Sequence, residues 1–247
     1  MVSFKKKFLF LNVTENWYHC DPGFLNTVLP TAWLHVKNRN TPVKPGYSDI
    51  TYTIENDLTL DHDTIYAGFL KSNRQQIRQA EEAGVEFEFH NDVEGFVEFF
   101  NEFARSVNIG TTSVRRIHEM EGFLKLSYAK HEGRILVAHS TLIDDTYKIV
   151  RAFHSASKRT DDAFDKSLIA KANKALHYKD MMHFRDLGYK VYDFGGYTQN
   201  TEDKALLGIN NFKQSFGGEV VACTNYYTLS YQLLKKIGSV MGALGKG

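Results

Sequence analysis

The apolar and polar positions of the chain fall into short alternating runs and longer runs with helical spacing. Near the start, residues 8–13 read as a buried strand, an apolar run behind Lys5-Lys6-Lys7 that is interrupted at Asn12. Residues 21–48 are loosely patterned and hold all four prolines, Pro22, Pro30, Pro42 and Pro45. Proline fixes φ and removes a backbone donor, so regular structure there is expected to be short. Ile50-Thr51-Tyr52-Thr53-Ile54 alternates as a half-buried strand does.

In residues 61–83, Ile65, Phe69, Ser72, Gln76 and Ala80 recur every three or four positions and predict one helix, with Asp61 and Asp63 near its start and Gly84 past its end. A short strand over 85–89 follows. Asn91 or Asp92 is placed to cap a helix with the stripe Val93, Phe96, Phe99, Phe100 and Phe103. Runs at 123–129, 135–143 and 147–156, separated by turns at His131-Glu132-Gly133 and Asp144-Asp145, read as an antiparallel meander. Residues 167–187 read as a helix stopped by Gly188, and 190–194 as a buried strand ending at Gly195-Gly196. A helix over 201–212 leads through Gly217-Gly218 to strands at 219–222 and 227–231. This order predicts an α+β fold, a mixed sheet flanked by helices. The strand at 190–194 should lie parallel to its neighbour, because a strand–helix–strand crossover normally makes a parallel pair.

With 247 residues, 43% hydrophobic and 13% aromatic, the chain can bury a full core. The pattern divides it into residues 1–49, an irregular and strand-like extension packed on the core, and a principal domain over 50–247. Lys+Arg 30 against Asp+Glu 29 leaves +1, so the chain as a whole sets up no strong field for nucleic acid or membrane. Cys20 and Cys223 cannot staple a chain of this length and suit a reducing compartment. The apolar run before Asn12 is shorter than a signal peptide's, and no stretch reaches the ~18 apolar residues of a membrane span. A cytoplasmic location is expected.

Three stretches narrow the picture. They are Ser72-Asn73-Arg74-Gln75-Gln76-Ile77-Arg78-Gln79-Ala80-Glu81-Glu82-Ala83-Gly84-Val85, then Gly188-Tyr189-Lys190-Val191-Tyr192-Asp193-Phe194-Gly195-Gly196, then Gly208-Ile209-Asn210-Asn211-Phe212-Lys213-Gln214-Ser215-Phe216-Gly217-Gly218-Glu219-Val220. In this order the chain resembles the GNAT acyltransferase fold, and within it the FemAB-like branch. That branch includes the aminoacyl transferases of peptidoglycan bridge formation and shorter polysaccharide-associated relatives. The resemblance covers about residues 50–231; the first fifty match no family. Full FemAB transferases carry two GNAT-like domains, and this chain is too short for two complete ones.

The resemblance implies transfer of an acyl or aminoacyl group to an amine acceptor in cell-envelope or polysaccharide metabolism. The alternative is a GNAT-like binding module without catalysis. The GNAT phosphate loop reads Q/R-x-x-G-x-G/A, and its best alignment here, Ser167-Leu168-Ile169-Ala170-Lys171-Ala172, lacks the leading Gln/Arg and the central glycine. Acetyl-CoA is therefore expected to bind weakly or not at all, with the donor left open between an acyl-CoA and an aminoacyl-tRNA. The implied partners are an envelope-precursor or small-molecule acceptor and, for the second donor, tRNA.

Transfer of this kind needs the amine and acyl carbonyl held together, the carbonyl oxygen polarised and a proton removed. The resemblance places Phe212 and Lys213 at the transfer centre, with the ammonium as oxyanion donor and the ring as a wall. Asp193, at a strand's carboxyl end, either takes the amine proton or caps a turn. Tyr192, Gly195 and Gly196 line the same strand end, where glycines allow close approach. Arg74 and Arg78, one helical turn apart, can clamp an anion or form an exposed charged face with Glu81 and Glu82. Lys166, Ser167, Lys171 and Asn173, at the start of the helix from 167, are the candidate donor-phosphate ligands, with Asp161, Asp162 and Asp165 opposing them. His154 either faces substrate or sits satisfied in the sheet. No metal is expected: His177 and His183 are six apart, on different faces of a helix. His139-Ser140 is a poor hydrolase signal, since adjacent strand residues point to opposite faces.

Overall fold

The computed structural model describes residues 2–8, 11–20, 28–37 and 46–244. Ile54–Val220 forms one compact unit, and Met1–Thr53 together with Val221–Gly247 forms the other.

The larger unit is built on strands in the order β4–β9–β8–β7–β6–β5, where β4 is Gly46–Asp57, of which this unit takes the part from Ile54 on, β5 Glu86–Phe89, β6 Leu124–His131, β7 Arg134–Asp144, β8 Ile149–Ser157 and β9 Val191–Tyr197. β5 to β8 pair antiparallel in sequence order; the close turns require it of β6, β7 and β8, whereas two helices intervene between β5 and β6. The helix α5 (Lys166–Asp186) then carries the chain across, and β9 pairs parallel with β8 through Ile149↔Val191, Val150↔Tyr192 and Arg151↔Asp193. The expected parallel crossover is present, and the α+β mixed sheet with it. Pairing between β8 and β9 stops at Arg151 and Asp193, yet β8 runs on to Ser157 and β9 to Tyr197. The two strands therefore part at their carboxyl ends. A bulge contributes: β7 and β8 pair through Ser140↔His154 and Thr141↔Ala152, which leaves Phe153 as an extra residue.

Helices cover both faces. α3 (Val93–Ser106) is capped by Asp92, whose side chain accepts from Gly95 N, and buries Val93, Phe96, Phe99, Phe100 and Phe103 over β7 and β8. α5 buries Ile169, Ala172, Leu176, Met181 and Phe184 against the other face, alongside α2 (Lys71–Glu82). At about 25 cal/mol per Å² of apolar surface, burying each of these side chains other than Ala172 is worth roughly 1.5–3 kcal/mol.

The single helix expected over 61–83 is two. α1 (His62–Gly68) ends where Phe69 and Leu70 turn extended, and α2 starts at Lys71. Leu70 N–H donates to the Ser215 carbonyl at 2.9 Å, and the Asn73 side-chain amide donates to the same carbonyl and to Ser215 Oγ. Tertiary bonds thus replace helix bonds at the break, and the buried positions after it are Asn73, Ile77 and Ala80, where Ser72, Gln76 and Ala80 were expected. A short helix at Val114–His118 (α4), capped by Ser113, was not expected. α6 (Lys204–Gln214) begins three residues later than the spacing suggested, because Asp203 is its N-cap.

In the smaller unit the strands run β1–β2–β3–β10–β4, with β1 Val2–Phe8, β2 Leu11–Trp17, β3 Thr31–Val36 and β10 Glu219–Thr228. The run at 8–13 is no single strand: it joins β1 to β2 in an antiparallel hairpin, with residues 9 and 10 outside the described set. The lysines hid β1, whose alternation buries Val2 and Phe4. β3 falls inside the proline-containing stretch; Pro22, Pro42 and Pro45 are outside the described residues. The two strands expected at 219–222 and 227–231 are one strand, β10, followed by a helix, α7 (Leu229–Leu244). No helix among the described residues is long and apolar enough to cross a membrane.

Candidate active site

The site is where β8 and β9 part. Asp193, fully buried, ends their parallel register beside Arg151, which is 8% exposed. Asp193 Oδ2 accepts from Arg151 Nη1 at 2.5 Å, and Oδ1 accepts from Gly195 N–H at 2.7 Å. The second bond requires the chain to turn back, and Gly195 does so with φ +79°. A Cβ there would lie 3.3 Å from Arg151 Nη2 and 3.5 Å from the Ala152 carbonyl oxygen. Glycine is thus fixed twice, by conformation and by the guanidinium beneath it. The next residue, Gly196, offers its carbonyl to Lys213 Nζ at 2.6 Å.

Lys213 occupies the last turn of α6, where an ammonium is favoured by the helix dipole. It is half-buried, and burial, with the Arg151 charge adding to it and Asp193 opposing, brings its pKa down to about 8. An ammonium with three donors and one carbonyl contact has capacity to hold an oxygen anion. Phe212 meets His177 edge-on at 5.5 Å and Phe216 at 5.4 Å, making an aromatic floor with Phe194. Gly217, also at positive φ, lies so close to the Gly68 carbonyl that any Cβ would collide with it.

Beneath that floor is a buried polar cluster that the sequence did not single out as a unit. His177 Nδ1 lies 2.9 Å from Tyr192 Oη. His139, on β7, bonds Asp180 through Nδ1 at 2.8 Å and Asn173 through Nε2 at 3.0 Å. The two imidazoles pack at 4.2 Å between centroids, tilted by 36°. Burial, then the neighbouring charges of His139 and Lys213, hold His177 well below the usual histidine range. Burial likewise drives Tyr192 upward, helped by Asp180 and Asp193. His139, His177 and Asp180 present ligand atoms within 4.8 Å of one another. An ion there would have to displace the His139–Asp180 and His177–Tyr192 bonds. The i, i+3 spacing of His177 and Asp180 was readable; that a meander strand brings His139 between them was not.

The other candidates lie apart from this strand end. Arg74 donates to the Ala67 carbonyl at 2.7 Å and to the Phe69 carbonyl, closing the end of α1, and Arg78 is exposed on α2. His154 sits under α3 against Phe100 at 4.7 Å, bonded to Ser140 Oγ at 2.6 Å, and burial with the Arg116 charge takes its pKa down to about 4. At the start of α5, Asp165 accepts from Ser167 N–H at 2.7 Å and Lys166 reaches Asp162 at 2.7 Å. Lys171 is half-buried one turn further on, and Asn173 belongs to the His139 cluster.

The chain shares the fold of FemX. That crystal structure matches with a TM-score of 0.64 at 14% identity, over 96% of this chain and 86% of that one. The C-terminal domain assigned to a lysylphosphatidylglycerol synthetase from Agrobacterium fabrum matches at 0.54 and 13% identity, over 85% of this chain and 71% of that one. L-PGS from Bacillus licheniformis matches at 0.53 and 12% identity, over 88% and 74%. At such identities the likeness establishes the fold. No family model matches the chain, and no curated protein matches it in sequence.

Proposed function

We propose that the chain is an acyl- or aminoacyltransferase that passes an acyl group to an amine acceptor in cell-envelope or polysaccharide metabolism. The observation that carries this reading is the Lys213 ammonium, half-buried and held at the Gly196 carbonyl where β8 and β9 part. An acyl carbonyl entering that opening would meet a fixed cation in a partly dry setting, where a donor aimed at the developing oxyanion is most effective. Phe212 and the aromatic floor exclude water from one side. Asp193 acts through the turn: with one oxygen on Arg151 and the other on Gly195 N–H, it holds the Gly195-Gly196 backbone that positions Lys213. The amine acceptor enters as its neutral form or gives its proton to solvent at the open end.

The start of α5 supports an aminoacyl-tRNA over acetyl-CoA as donor. The Asp165 carboxylate already occupies the Ser167 N–H, and Asp161 and Asp162 lie just before it in the chain, so a pyrophosphate would face both competition and repulsion. The synthetase name among the proteins of this fold, which joins lysine to phosphatidylglycerol, agrees with an aminoacyl reaction and an envelope acceptor.

The test is transfer of labelled acyl groups from acetyl-CoA, longer acyl-CoAs and aminoacyl-tRNA to amine acceptors, with Lys213→Met in parallel. Transfer from aminoacyl-tRNA that falls about 10²–10³-fold in Lys213→Met supports the reading. Binding of donor without transfer by the parent would instead establish a GNAT-like binding module.

A further inference from the structure

Among the described residues, the smaller unit carries an exposed apolar surface. On α7, Leu229, Leu233 and Ile237 follow one another at intervals of four and are 56%, 61% and 40% exposed. Val28 and Leu29, 60% and 54% exposed, adjoin the same end of the helix. Their carbonyls are held there, Val28's by Ser230 Oγ at 2.8 Å and Leu29's by Thr228 Oγ1 at 3.0 Å. Isolated exposed leucines are ordinary, but a run of five apolar side chains from two converging segments is a docking surface.

What flanks the stripe decides the occupant. α7 holds two lysines, Lys235 and Lys236, and no acidic residue. Beside it opens a cleft of about 440 Å³ lined by Tyr47, Asp49, Tyr227, Gln232 and both lysines. Tyr47 and Tyr227 stack at 6.3 Å, Tyr227 and Tyr231 at 5.3 Å, and Lys235 Nζ lies 6.0 Å over the Tyr227 ring. From Leu229 to Ile237, α7 thus presents an apolar edge bordered by ammonium groups and tyrosines. Tyrosine rings and long lysine stems favour the boundary between hydrocarbon and water, with an apolar body on one side and a polar tip on the other. A second protein surface would need acidic and apolar groups in register with this edge. A bilayer carrying anionic lipid supplies both without register.

We infer that α7, with Val28 and Leu29, docks this unit on the surface of an anionic phospholipid membrane, the leucines entering the acyl boundary and the Lys235–Lys236 cleft receiving lipid phosphate. The protein lies on the bilayer and does not span it. The near-neutral charge of the whole chain does not oppose this, because headgroup attraction acts within about a Debye length, 8–10 Å, of the local charge.

The experiment is vesicle flotation of the full chain with neutral phosphatidylcholine alone and with about 30% phosphatidylglycerol added. The parent should float with the anionic vesicles and far less with the neutral ones. Leu233→Glu should lower partitioning by about tenfold or more, from the lost burial of one leucine. Lys235→Gln and Lys236→Gln should lower it about fivefold each. Leu187→Glu, at an equally exposed position of the other unit (57%), should leave it unchanged. Each variant is first shown to unfold at the parent's temperature, and the lysine pair keeps the test intact if Leu233→Glu does not. Failure of the parent to float with anionic vesicles overturns the inference, as does equal flotation with neutral ones. A dimer seen by light scattering and broken by Leu233→Glu, without flotation, would assign the surface to a second copy of the chain. None of these outcomes depends on transferase activity.

Discussion

Replacing Asp193 by asparagine separates the two roles a carboxylate at this strand end can have. The change keeps the side chain's shape and removes its charge. Asp193 now satisfies two donors, Arg151 Nη1 at 2.5 Å and Gly195 N–H at 2.7 Å. Asparagine has one acceptor and a donor pair in their place, so whichever way the amide turns, an N–H faces an N–H. It also leaves a guanidinium that is only 8% exposed without its carboxylate. Breaking a buried pair in this way costs roughly 3–5 kcal/mol, against about 0.5 kcal/mol or less for a typical surface substitution. For a chain of 247 residues that corresponds to a fall in Tm of about 6–20 °C. The assay is urea and thermal unfolding of Asp193→Asn, Arg151→Met and the double variant. If the two groups act as a pair, the double variant should be more stable than the sum of the single losses predicts, by about 2 kcal/mol or more. Were Asp193 instead the acceptor of the amine's proton, stability would hardly move and transfer would recover at high pH, where the amine is already neutral. A loss under 1 kcal/mol with zero coupling to Arg151 refutes the structural argument.

Three further outcomes follow from the same geometry. Lys213→Met should cost activity but not stability: the folded pKa of about 8 lies below the unfolded value of 10.5, so the ammonium is unfavourable in the fold below pH 8 and parent stability should rise between about pH 8 and 10.5. Denaturation of the parent and variant at pH 7 and pH 10 checks this, and a variant markedly less stable at pH 7 would contradict it. Gly195→Ala should lose about 1–2 kcal/mol from the left-handed backbone alone, with Arg151 forced aside as well, and an alanine variant as stable as the parent in urea would exclude the close approach. On the acid side, His177 and His154 both have folded values below the ordinary 6.5, so each contributes stability that is complete above that value and is lost as pH falls, by at most about 1.4 kcal/mol per pH unit per histidine. Replacing His154 by phenylalanine should flatten the stability profile between pH 6.5 and 4, measured by urea midpoints.

What the sequence made legible was periodic and local. The phenylalanine stripe of α3 and its Asp92 cap, the meander β6–β8 with its short turns, and the crossover α5–β9 all follow from spacings of two and of three to four that tertiary contacts do not disturb. The pattern misled where a long-range contact outweighs it. The apparent helix over 61–83 breaks because Ser215, some 145 residues away, takes the backbone donor of Leu70 and the side chain of Asn73. The consecutive lysines Lys5-Lys6-Lys7 concealed β1, which pairs with β2 as a hairpin and buries Val2 and Phe4. The site shows the same division. The motif around Phe212 and Lys213 marked one wall and the Asp193–Gly196 run the other, because both are continuous in sequence. Arg151 carried no signal of its own. It is one residue in an alternating strand, and its meaning comes only from the parallel register that sets it beside Asp193 and under Gly195. His139 is hidden for the same reason: its partners Asp180 and Asn173 lie on a helix that reaches it only after the crossover is made. Residues that act through register are therefore the ones an individual sequence withholds. Loss of Arg151 or Asp193 should be felt first as stability and only then as activity, since together they hold the turn whose Gly196 carbonyl accepts from Lys213.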